Sequence, residues 1–141
     1  MPPHIEVSQG DTMEIEYTHV TAGNFGDDMN SWFWEKLSPG GWGGNFQHTL
    51  IGIGSLLGLD RDANRNWYVL GAGAGYQYPT NLSEMGHWNF LAVRGPLTAL
   101  ALGLHEDRAV TDTAILLSSI PEFQVVPENE NEITIPVLSE N

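Results

Sequence analysis

A layered α/β fold, with a largely parallel sheet inside and helices outside, is what this sequence predicts. Apolar runs of strand length alternate with segments of helical periodicity, the signature of strand–helix–strand units. The later strands are apolar without alternation, as in strands covered on both faces. Glycine-rich turns follow those strands, where the chain must reverse tightly.

The elements follow in order. Residues 13–20 alternate apolar Met13, Ile15 and Tyr17 with polar Glu14, Glu16 and Thr18, a strand with one solvated face. Turn residues from Gly23 to Asp28 break it. Met29, Phe33 and Leu37 then recur at helical spacing, with Asp27 or Asp28 near the helix start, where a carboxylate suits amides and dipole. Ser38-Pro39-Gly40-Gly41 ends the helix, and Gly40–Asn45 reads as a flexible loop. Thr49–Ser55, Trp67–Gly71 and Phe90–Val93 are three continuous apolar strands. Pro96 opens a helix with Leu97, Leu100, Ala101 and Leu104 as its apolar stripe and Gly103 at its end. Arg108–Val110 reads as a short strand, and Asp112 as the cap of a brief helix, Thr113–Ser119. The prediction is one three-layer, Rossmann-like sandwich over residues 1–120. Residues 121–141 form an acidic tail, read as short strands or a linker.

Eighteen acidic residues face five basic ones, for a formal net charge of −13. That balance argues against nucleic acid and anionic membranes as partners, since both demand cation density. No apolar run reaches bilayer length, and the first residues have neither a basic n-region nor an apolar h-region, so the expected location is cytoplasmic. The absence of cysteine excludes disulfides and thiolate chemistry. His4, His19, His48, His87 and His105 lack ligand spacing, so no metal site is expected.

Gly52, Gly54 and Gly58, and again Gly71, Gly73 and Gly75, approach the dinucleotide fingerprint. Neither cluster is followed by a strand ending in the acidic residue that would hold a ribose, so no NAD site is assigned. The glycines still predict a cleft at the carboxyl ends of parallel strands, where open α/β sheets bind ligands.

Four ordered segments resemble the polysaccharide pyruvyl transferase family. They are GNFGDDMN at Gly23–Asn30, LIGIGSLL at Leu50–Leu57, VLGAGAGY at Val69–Tyr76, and AVRGPLT at Ala92–Thr98 followed by TDTAILL at Thr111–Leu117. The resemblance implies transfer of a pyruvyl group from phosphoenolpyruvate to two saccharide hydroxyls as a cyclic ketal, with no metal or organic cofactor. It also implies a second half, supplying a histidine and further arginines, that would begin about where this chain ends. Thr113 stands where the family has proline, and Val137 where it has histidine. The expected state is therefore a homo-oligomer or a complex with a partner chain.

Arg94, just past a strand at the cleft end, suits the donor's carboxylate or phosphate, with an ion pair to Asp27, Asp28 or Asp112 as the competing reading. Asp27 and Asp28 are candidates for acid–base work, with helix capping as the competing role. Asn24, Gly26, Gly54, Ser55, Gly73 and His19 are the remaining substrate-binding candidates. Ser55 and Thr98 read as local hydrogen bonders and not nucleophiles, because no histidine pairs with either. Trp42 and Trp88 could stack on a sugar or pack against a partner. Two other classes stay open: a non-catalytic saccharide- or protein-binding domain, and an unrelated nucleotide-binding α/β domain.

Overall fold

The computed structural model describes residues 13–17, 21–42, 47–57, 62–75 and 87–124. Four strands, β1 (Glu14–Glu16), β2 (His48–Ile51), β3 (Asn66–Leu70) and β4 (Trp88–Ala92), pair in the order β1-β2-β3-β4, and every pairing is parallel. Helix α1 (Phe25–Leu37) joins β1 to β2, and α2 (Pro96–Ala101) follows β4. Three 3₁₀ segments close the described chain: Glu106–Arg108, Thr113–Ser119 and Pro121–Phe123.

The period of two in the strands sorts side chains into two cores. Leu50 joins Met29, Phe33 and Trp34 of α1 and Ile120, with Tyr68 and Leu70 partly buried against them. Ile51, Trp67 and Val69 point the other way, packing with Leu56, Leu57, Val93 and Ala99 of α2. Helices thus cover both faces, and the fold is the predicted three-layer α/β sandwich. On the α1 side, Ile120 and a stacked Trp32–Phe123 pair at 5.2 Å hold the 3₁₀ segments to the helix.

Each local stop has a cause. Asn24 caps α1, its Oδ1 accepting from the N–H groups of Gly26 (3.0 Å) and Asp27 (3.3 Å). Gly103, at φ +65°, ends α2 with Gly103 N–H donating to Leu100 O and Leu104 N–H to Ala99 O. That pair of bonds is a Schellman closure, which needs a residue at ease in the left-handed region.

Several expectations are corrected. β4 is not covered on both faces: Asn89 and Leu91 are exposed, because β4 is the last full strand of the sheet. Leu91 also sits at a register irregularity, where Val69 pairs with Phe90 but Leu70 pairs with Ala92. In α2 the buried face is Thr98 and Ala99, while Leu97 and Leu100 are 81% and 77% exposed. Arg108–Val110 contributes one parallel bridge, Val93 to Ala109, and not a strand. Thr113–Ser119 is a 3₁₀ helix with the expected cap, Asp112 Oδ1 accepting from Ala114 N–H at 2.9 Å. The first strand spans Glu14–Glu16, with 18–20 outside the described residues, as is the tail from 125. Among the described residues no helix is long and apolar enough to cross a membrane.

Candidate functional site

The segments leaving β2 and β3 run side by side beyond the sheet. Gly73 N–H donates to Gly54 O (2.9 Å), and Leu57 N–H to Gly73 O (3.2 Å). Glycine is required by crowding at both exits. A β-carbon on Gly52 would overlap the Trp34 indole, and one on Gly71, at φ +85°, would overlap Thr113. The Thr113 hydroxyl donates to Leu70 O at the end of β3, so the 3₁₀ segment is bolted to the strand it follows in space.

The amino end of α1 meets this platform through Asn30, which is 2% exposed. Its Nδ2 donates to Asp27 O (3.0 Å) and Ile53 O (2.9 Å); its Oδ1 accepts from Trp34 Nε1 (2.9 Å) and Ile53 N–H (3.2 Å). Four bonds satisfy the amide fully, as a buried amide requires, and they lock the first turn of the helix to the exit of β2. Sequence reading gave Asn30 no role. Its signals are its place at the end of the GNFGDDMN element and a polar side chain one position from the apolar stripe, four before Trp34.

The two aspartates beside it separate. Asp28 Oδ2 accepts from Asn24 N–H at 3.1 Å, reciprocating the Asn24 cap. Asp27 turns to the cleft, where Gly54, at φ +128°, leaves room: a β-carbon there would stand 3.0 Å from Asp27 Oδ1. Burial first, and then the neighbouring Asp28 charge, push the Asp27 carboxyl above the usual carboxylate range.

Arg94 follows β4 and Val93, its N–H donating to Ala72 O at 3.1 Å. The side chain lies over Gly73, and Nη2 donates to Ser55 Oγ at 2.9 Å. Among the described residues it makes no ion pair with Asp27, Asp28 or Asp112; the Ser55 hydroxyl is its side-chain partner.

These groups enclose a cavity of about 400 Å³ at the carboxyl end of the sheet. Asn24, Gly26, Asp27, Gly54, Ser55 and Arg94 line it, together with Ile53, Leu56 and Asp112. Gly73 lies beneath Arg94, Asp28 is engaged in the helix cap, and His19 falls outside the described residues. Asp112, read from sequence only as a cap or an ion-pair partner, brings a second carboxylate to the wall. Among the described residues, one cation and two carboxylates around a polar hollow can bind an anion beside hydroxyl groups and exchange a proton with them.

Comparison with known proteins gives this arrangement a context. The chain is similar to succinoglycan biosynthesis protein ExoV of Rhizobium meliloti (strain 1021). The two are 35% identical over 115 residues, covering 79% of this chain and 36% of ExoV. The chain thus spans about a third of the length of that curated relative. No family model matches it, and no solved structure does.

Proposed function

We infer that this chain carries the donor-binding part of a polysaccharide pyruvyl transferase, an enzyme that moves a pyruvyl group from phosphoenolpyruvate to a saccharide diol. The observation that carries the reading is Arg94, held without a carboxylate partner among the described residues, on the wall of a cavity that also receives Asp27. The similarity to ExoV, a protein named for the biosynthesis of a glycan, supports the saccharide side.

The chemistry assigns roles. The Arg94 guanidinium binds the donor's carboxylate or its phosphate, countering charge that grows on phosphate as it departs. Asp27, kept protonated more readily than an ordinary aspartate, delivers a proton to the methylene carbon. The adjacent carbon becomes electron-poor, and a saccharide hydroxyl adds to it, returning its proton to Asp27. A second hydroxyl then displaces phosphate, which takes up that hydroxyl's proton, and the product is the cyclic ketal. Asn24 and Asp112 line the side on which the hydroxyls would lie. Among the described residues Arg94 is the one arginine in the cavity wall, and a partner chain or self-association is our proposed source of the further cations.

Calorimetric titration with phosphoenolpyruvate tests the reading. Wild type should bind, and Arg94→Ala should weaken binding by about tenfold or more, the value of a charge-assisted pair. Equal affinity in the two proteins would sink it. A second reading, a saccharide- or protein-binding domain without catalysis, is favoured by the exposed Leu97 and Leu100 beside the cavity. It predicts saccharide binding with no response to phosphoenolpyruvate.

A further inference from the structure

Arg94 stands between two cavities. The polar one is described above. The other, of about 610 Å³, is walled by Ala74, Gly75, Pro96, Leu97, Leu100 and Ala101 among others, and shares Ser55 and Arg94 with the first. An arginine has enough rotatable bonds to point into either cavity or into solvent, and holding it in one place costs side-chain entropy. Two residues oppose that freedom.

Gly73 offers bare backbone for the guanidinium to lie on, since a β-carbon there would overlap Nη2, Cζ and Nε. Ser55 Oγ accepts one N–H from Nη2. Among the described residues the other guanidinium N–H groups meet no acceptor, so the fork stays open to a ligand. Which side yields when Gly73 gains a side chain is decided by what holds each. The floor is pinned by Gly73 N–H to Gly54 O, Gly73 O to Leu57 N–H, and Ala74 N–H to the buried Thr98 hydroxyl at 3.2 Å. The guanidinium is held by a single exposed hydrogen bond, so the arginine moves and the floor stays.

We propose that Ser55 and Gly73 are positioning residues for Arg94, setting its guanidinium on the wall shared by the two cavities. A bound anion is then held at that boundary, with hydroxyl-bearing groups in the polar cavity. This rests on the reading of Arg94 as the donor's anion contact, but its geometry can be tested without any ligand.

The four arginines of the chain make the Nε–H signals separable by NMR. In the ligand-free protein, the heteronuclear NOE of the Arg94 Nε–H should mark an ordered side chain. Order should fall in Ser55→Ala, return in Ser55→Thr, and be lost in Gly73→Ala while the backbone amide spectrum persists. An Arg94 signal as mobile in wild type as in Ser55→Ala overturns the proposal. So does a Gly73→Ala protein that fails to fold, because then the floor yields and not the arginine. The same variants are titrated with phosphoenolpyruvate, where Ser55→Ala should weaken binding about fivefold, the value of one hydrogen bond. A protein with ordered, Ser55-dependent Arg94 that binds no phosphoenolpyruvate overturns the donor reading and leaves the positioning intact.

Discussion

Asp27 and Asp28 are adjacent carboxylates with opposite consequences. The native cleft holds the Asp27 proton more tightly than the unfolded chain does, because burial and the Asp28 charge both disfavour its ionised form. Its ionisation therefore costs stability: nothing is lost at low pH, where both states are protonated, and stability falls as pH rises through the raised native value. Asp27→Asn should hold or raise the thermal midpoint at neutral pH, with the advantage vanishing in acid. A deficit of equal size at every pH would refute the assignment. Asp28→Ala should instead destabilise at neutral pH by about 0.5–1 kcal/mol, the usual value of a helix-start carboxylate that bonds the cap. Sequence reading placed both at the helix start and could not divide their roles. The division depends on Gly54, a residue 27 positions away whose missing β-carbon gives Asp27 its space.

At the scale of elements, the joint between α1 and β2 rests on Asn30. Asn30→Leu keeps the branched shape but strands two backbone acceptors and two donors, a loss of about 3 kcal/mol or more by the cost of unmet buried groups. Urea denaturation should show a lower midpoint with an unchanged slope. The joint at β3 makes a second case. Gly71→Ala forces a left-handed alanine against Thr113 and should cost about 1–3 kcal/mol. Adding Thr113→Ala should recover part of that loss, since the two residues share one contact. The elements themselves were largely legible: the stripe of Met29 and Phe33, the stop at Gly103 and the cap at Asp112 each follow from local chemistry. The orientation of α2 was not. Its two leucines, Leu97 and Leu100, share the exposed side, and the hydrogen bond from Ala74 to Thr98 and the packing of Ala99 set the other side against the sheet. β4 misled for the same reason, because Leu91 is apolar yet faces out.

For the whole molecule, the exposed leucines of α2 and the charge of the chain act against one another. Leu97 and Leu100 line the larger cavity and continue the wall that Arg94 shares with the polar one, so whatever covers them also closes the candidate site. A second copy of the chain is one such cover. Apolar cover of this kind contributes about 25 cal/mol for each Å² removed from water, and it depends little on salt. Repulsion between two chains of net charge −13 opposes it, and that repulsion is long-ranged only at low ionic strength. Self-association should therefore strengthen as salt is raised, the reverse of an assembly built on ion pairs. Light scattering coupled to size exclusion should find monomer at low salt and dimer or larger at high salt. Leu100→Asp should hold the chain monomeric throughout, with the fold unaffected because the residue is exposed. A wild-type chain that stays monomeric at micromolar concentration in high salt would remove self-association as the route to a complete site.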